Sequence, residues 1–188
     1  MELQHVNAKI FVEGDLAVDP SRFINVFHQW IQDRVITDEL LIDVADYCHV
    51  PDGPGVMLIA HEADYSMDHT DGRWGLRYNR KAALSGTNED RFRQAVRRAT
   101  NACRLLEDQF ASDGPLKFSR REFELFINDR LLAPNTPQTL ASCKPEIEAF
   151  LAKLVGSKDF ALYPSTDSRR RFGVVVKTAK AIDFDAIL

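Results

Sequence analysis

LLIDVADYCHVPDGPGVMLIAHEADYSMDHTDGRWGLRY, residues Leu40 to Tyr78, decides the fold. Its apolar runs are separated by two turns rich in Pro, Gly and Asp, HVPDGPG and MDHTDG. That punctuation marks strands joined by tight connections. The stretch reads as three antiparallel strands, Leu40 to Cys48, Val56 to Tyr65 and Arg73 to Asn79. If the first turn centres near Asp52-Gly53, opposing residue numbers sum to about 105. A second turn centred between Met67 and Gly72 gives a sum near 139 on the same logic. One face then carries Ile42, Val44, Asp46, Met57, Ile59, His61, Ala63, Trp74, Leu76 and Tyr78, and reads as the core. The other carries Asp43, Glu62, Asp64, Arg73 and Arg77, and reads as solvated or partner-facing.

Outward from this meander, Ala8 to Val12 is a short first strand. Asp19-Pro20 opens a helix, with Asp19 as N-cap and Pro20 at the first helical position. Phe23, Val26, Phe27, Trp30 and Ile31 recur at the spacing of one helical face, and the helix ends near Val35. Asn88 to Phe110 has the strongest helical stripe, through Phe92, Ala95, Val96, Ala99, Cys103, Leu106 and Phe110. Ala111 to Pro115 closes it. Phe123, Leu125 and Ile127 alternate with polar neighbours and predict a strand. Thr136-Pro137 starts another helical segment. Pro145 cannot continue a helix comfortably, so two short helices are expected, the second ending at Gly156. Phe160 to Tyr163 and Phe172 to Thr178 form a last hairpin. Strands that meander between helices predict an α+β two-layer sandwich. Its mostly antiparallel mixed sheet should have about six to seven strands, with helices packed chiefly on one face. Residues 1–188 read as one domain, with loops at Ser112–Pro115 and Ala133–Pro137 too short to be linkers.

The composition is that of a globular chain: 45 % hydrophobic and 28 % charged residues over 188 positions, with a net charge of -4. So mild a charge by itself argues neither for nor against nucleic acid, but with the chain acidic overall and its aromatics mostly on core faces, a small anionic ligand or an acidic protein partner fits better than DNA or RNA. No apolar run reaches the roughly 18 residues of a membrane span, and the first residues lack signal-peptide character. Cys48, Cys103 and Cys143 are widely spaced and fall in apolar patterns. They read as reduced, buried thiols of a cytoplasmic protein.

Three constellations could carry chemistry. Asp46, His49, His61, Glu62 and Asp64 combine residue types that ligate metals or move protons. His61-Glu62 is not the HExxH zinc signature, because position 65 is Tyr. Adjacent strand residues also face opposite ways, so these two cannot share one ion without a bulge. The simpler reading is a buried His61–Asp46 pair. In the second constellation, Asp43 faces Glu62 and Glu62 faces Arg77. Paired carboxylates could support hydrolysis by raising one pKa, but an exposed charge ladder explains them as well. The third is arginine. Arg73, Arg77, Arg80, Lys81, Arg91, Arg97 and Arg98 flank one strand–helix junction, and Arg169, Arg170 and Arg171 occupy the last hairpin turn. Clustered guanidiniums recognise phosphate and carboxylate, although a solvated surface is the plainer account. No GxSxG elbow, phosphate-cradling lysine loop or GxGxxG is present. Asn128, Asp129, Arg130 and Asn135 are accounted for by turn chemistry.

The expectation is a non-enzymatic binding or regulatory domain for a small anionic ligand or a protein partner, or a homo-oligomer. Arg73, Arg77, Arg97 and Arg98 would be its ligand-binding residues. The alternative is a metal- or carboxylate-dependent hydrolase around His49, His61, Glu62 and Asp64. Its catalytic candidates are His61, Glu62 and Asp46, and any metal would fall to His49, His61 and Asp64. No cofactor, nucleic acid or membrane is implied.

Overall fold

A computed structural model of the chain describes residues 1–112, 114 and 116–187. The strands are β1 (Val6–Val12), β2 (Leu41–Tyr47), β3 (Gly55–Ala60), β4 (Ala63–Asp68), β5 (Gly75–Arg80), β6 (Phe118–Ile127), β7 (Phe160–Pro164) and β8 (Gly173–Thr178). The helices are α1 (Arg22–Asp33), α2 (Asn88–Gln109) and α3 (Pro137–Val155), with single 3-10 turns at Thr70–Gly72 and Asp185–Ile187. All eight strands form one open sheet in the order β2-β3-β4-β5-β1-β6-β8-β7, and every pairing is antiparallel. The fold is α+β, with the three helices on one face. α1 lies on β2 and β3, α2 crosses β1, β5 and β6, and α3 packs on α2. The core lies between, built from alternate strand residues such as Ala8, Ile10, Leu58, Leu76 and Leu125 and the apolar stripes of the helices. Among the described residues, no helix is long and apolar enough to cross a membrane.

The meander differs from its sequence reading in one strand. The run from Val56 to Tyr65 is two strands, β3 and β4, joined at His61-Glu62. Nothing in those two residues announces a turn. It is stabilised instead by its neighbours. The Glu62 carbonyl accepts from Lys81 N at 2.8 Å and Ala82 N at 3.0 Å, and the Glu62 amide donates to Glu39 Oε1 at 2.9 Å. This split supplies the eighth strand. Asp43 faces Ile59 and Val44 faces Leu58, so opposing numbers in β2 and β3 sum to 102. An offset of three from the expected register inverts the faces of β3. Val56, Leu58 and Ala60 are buried under the helices, while Met57 and Ile59 lie half-buried on the other side. In β4 and β5 the sum is 143, four more than expected. An even offset preserves the faces, and Leu76 and Tyr78 lie in the core. Ile42 is skipped by the β2–β3 pairing and stays exposed.

Helix ends shift slightly. Asp19 Oδ1 accepts from Ser21 N at 2.9 Å and Ser21 Oγ at 2.8 Å, and α1 begins only at Arg22. Thr87 caps α2 through a reciprocal capping box with Asp90. Thr136 and left-handed Gly156 bound α3, but the break expected at Pro145 does not occur. Proline costs an interior helix about 3 kcal/mol. Ile147, Phe150 and Leu151 lie buried just beyond it. At roughly 1.5–3 kcal/mol each, their burial outweighs the lost hydrogen bond. Phe150 packs its ring 5.6 Å from Phe92 of α2. The closing loop at 111–115 includes residues 113 and 115, which lie outside the described residues.

Candidate anion site on the sheet face opposite the helices

β1 is buried along its whole length, and that sets the chemistry of the site. Val6, Ala8, Ile10 and Val12 belong to the core under the helices. Strand alternation sends Asn7, Lys9 and Phe11 to the opposite face. Lys9 stands directly between Arg77 of β5 and Glu124 of β6. Its stem crosses Gly75, where an added Cβ would come within 3.0 Å of Lys9 Cε and 2.6 Å of the Ile10 carbonyl. Glycine there leaves the lysine a path to β4. Lys9 Nζ meets Asp68 Oδ1 at 2.6 Å, with both side chains almost fully buried. It also donates to the Thr70 carbonyl at 3.1 Å.

Asp68 is the anchor of this face. Besides Lys9, it accepts from Arg77 Nη1 at 3.2 Å, Thr70 Oγ1 at 2.8 Å and Thr70 N at 3.2 Å. Burial alone would raise its pKa. The Lys9 and Arg77 charges, with the hydrogen bonds, outweigh burial and hold its carboxyl below the usual range. Burial likewise pulls Lys9 below an ordinary lysine, against the opposing effect of Asp68.

Two loops close over these strands. One follows β6 and carries Arg130. The other joins β7 to β8 and carries Arg169, Arg170 and Arg171. They are tied together by a Pro134–Arg171 bridge and by the Asn135 side chain, which donates to Ser165 O at 3.1 Å and Asp167 O at 2.8 Å. Beneath them is a cavity of about 210 Å³. Six cationic side chains line it (Lys9, Arg77, Arg130, Arg169, Arg170, Arg171) against three carboxylates (Asp68, Asp71, Glu124). Arg169 is bound at both ends of its guanidinium by Asp167. Arg170 pairs with Asp71 across the cleft.

Arg171 has no such partner. Its Nη1 reaches only Asn128 Oδ1 at 3.3 Å. Among the described residues, no carboxylate lies within ion-pair distance of Arg171 or Arg130. Burial first, and the Arg77 charge second, lower the Arg171 pKa to about 10. Both guanidiniums lie over the Phe126 ring, Arg77 at 4.5 Å from its centroid and Arg171 at 4.9 Å. Arg77 Nε is buried and unpartnered. The Glu124 carboxylate makes no hydrogen bond or ion pair with any described residue. Burial raises its pKa, against the pull of Lys9, Arg170 and Arg77. The cavity thus offers more cationic donors than carboxylate acceptors, six against three. That arrangement suits an oxyanion.

The residues singled out in the sequence divide between this site and other places. Arg77 lines the inner cavity, and Arg73 lines an adjoining one. Arg97 and Arg98 lie on α2, on the helix side of the sheet, where Arg98 pairs with Asp38. Asp46 is exposed and accepts from Cys48 N at 2.8 Å. It lies across from Val56, at one end of β3, whereas His61 follows the other end. Five residues of strand, about 16 Å, separate them, so no His61–Asp46 pair forms. His61 is exposed in its turn. Glu62 pairs with Arg80 at 2.8 Å, not with Arg77 or opposite Asp43. Asp64 pairs with Lys81 at 2.7 Å. His49 stacks on Tyr47 with centroids 6.3 Å apart. Among the described residues, no group of three His, Cys, Asp or Glu could hold a metal. Cys48, expected to be buried, is exposed, while Cys103 and Cys143 are buried.

The sequence did contain signals for the missed residues. A lysine inside the apolar run AKIFV, and Glu124 and Phe126 between the core positions of FELFI, are charged or aromatic residues on the second face of central strands. Compared with known protein families, curated proteins and solved structures, the chain matches none.

Proposed function

We propose that this chain is a non-enzymatic binding domain whose ligand is a small oxyanion seated between Arg77, Arg171, Arg130 and Lys9. The observation that carries the reading is Arg171, a half-buried guanidinium beside a second guanidinium with no carboxylate of its own. Burial and the Arg77 charge disfavour the Arg171 cation more than Glu124 and Asp68 support it, and an anion from solution offsets that cost. The hydrolase reading draws no support from the placement of its residues: His49 lies beyond the far end of β2 from the His61-Glu62 turn, and Glu62 and Asp64 are each paired with a separate cation, Arg80 and Lys81.

Thermal denaturation with sulfate tests the proposal. Sulfate at a hundredfold excess over its Kd should stabilise the protein by about 2.7 kcal/mol. In Arg171→Gln the gain should fall close to zero, while the ligand-free melting point moves little. Equal sulfate stabilisation of both proteins would refute the site.

A further inference from the structure

We infer that the ligand is a phosphate monoester with a flat apolar body, its phosphoryl group in the inner cavity and its body in a second cavity beside it. This rests on the anion reading above and names the class of anion.

The second cavity, about 510 Å³, shares Lys9, Thr70, Asp71, Glu124, Ser165 and Arg170 with the first. Its other walls add the apolar side chains Phe11, Tyr163, Pro164 and Val175 beside the polar Arg73, Thr166 and Asp167. The sheet explains the change. Tyr163 faces Val175, Val175 faces Glu124, Glu124 faces Lys9 and Lys9 faces Arg77. One row of cross-strand neighbours therefore runs from apolar to cationic. Strands are spaced about 4.8 Å apart, so Lys9 lies roughly 10 Å from Val175, two strands away, and Arg77 roughly 19 Å from Tyr163, four strands away. A ligand with its charge at one end and an apolar body at the other matches that row.

The head must satisfy guanidiniums arriving from β5, from the loop after β6 and from the β7–β8 loop. A terminal phosphoryl group offers three oxygens and two negative charges to a cavity with three more cations than carboxylates. A carboxylate offers two oxygens and one charge. The inner cavity alone falls below the roughly 300–1,000 Å³ of pockets that enclose organic ligands, and the outer one falls within that range. A bare ion would leave the outer cavity unused and Tyr163 53 % exposed above it. The Phe11 ring already carries the Arg73 guanidinium 3.7 Å from its centroid, so a flat group entering there meets a stacking surface.

Titration calorimetry of the whole protein with inorganic phosphate, phenyl phosphate and benzoate tests the inference. Phenyl phosphate should bind at least about tenfold more tightly than inorganic phosphate, a difference of about 1.4 kcal/mol. Tyr163→Ala and Val175→Thr should each erode that advantage and leave inorganic phosphate affinity unchanged. Tyr163 is exposed and Val175→Thr is nearly isosteric, so both variants should melt close to the parent. Equal affinity for the two phosphates, both lost in Arg171→Gln, overturns the inference and leaves the anion site standing. Benzoate binding as tightly as phenyl phosphate overturns the phosphoryl head. A phenyl phosphate advantage that survives both variants overturns the placement of the body. Absence of binding by all three overturns the anion site itself.

Discussion

Arg77 and Arg171 hold their guanidiniums over the same phenyl ring, 4.5 and 4.9 Å from the centroid of Phe126. Each ring contact is worth roughly 0.5–1 kcal/mol at a partly exposed site. That attraction offsets part of the repulsion between the two cations. It does not remove it: burial first, and the Arg77 charge second, push the Arg171 pKa down to about 10. Arg77 has Asp68 as its counter-ion; Arg171 has only an amide oxygen. The pair is therefore organised around a missing negative charge.

Lys9→Met should destabilise the protein by about 3 kcal/mol in urea denaturation, because it strands a fully buried carboxylate. Arg77 and Thr70 remain on Asp68, which keeps the loss at the lower end of the range for broken buried pairs. Adding Asp68→Asn should restore at least half of it. A loss under about 1 kcal/mol for the single variant would show that the pair is not the anchor of this face.

Glu124→Gln should change how stability depends on pH. The folded-state pKa of Glu124 lies above its ordinary value of 4.5. The folded protein therefore binds this proton more tightly than the unfolded chain. Its contribution is fully present below about pH 4.5 and is lost as pH rises through the raised value. Relative to the parent, the glutamine variant should gain stability from about pH 4.5 upward and then level off. The slope cannot exceed about 1.4 kcal/mol per pH unit for one proton. Urea midpoints measured from pH 4 to 8 check this, and a flat difference would contradict it.

Pro145→Ala should stabilise the protein by about 2 kcal/mol. It restores a backbone hydrogen bond to the Ala141 carbonyl in a continuous helix, less what proline contributes by restricting the unfolded chain. Chemical denaturation measures it, and a loss of stability would mean that the helix is shaped around the ring.

Where residue type dictates local geometry, the sequence was legible. Gly156 ends α3 in the left-handed region and Thr136 caps its start, as their chemistry requires. The helical stripes and the α+β layering follow from periodicity alone. The β3–β4 turn was not legible, because His61-Glu62 has no intrinsic turn preference and is held by the hydrogen bond that Glu62 N donates to Glu39 Oε1 and by those its carbonyl accepts from Lys81 N and Ala82 N. Pro145 misled for the converse reason: a local penalty was overridden by the burial of Ile147, Phe150 and Leu151. Arginine abundance pointed toward an anion, but Arg97 and Arg98 belong to the other side of the sheet. The residues that meet in the cleft come from β1, β4, β5, β6 and two loops. Only strand order brings them together, and strand order is not written in any one segment.

That order has a bearing on how the chain assembles. β1 precedes the other strands along the chain but occupies the interior of the sheet, between β5 and β6. The β2–β5 meander zips up from neighbours in sequence, so it can form while β1 still waits, its lysine ammonium fully hydrated. Docking β1 then requires closing a long loop and stripping water from Lys9 in a single event, and only Asp68 on the finished meander makes that dehydration tolerable. The buried pair beneath the cleft thereby also favours one register: a β1 shifted by one residue would carry its ammonium to the apolar side of the sheet, away from the carboxylate that receives it.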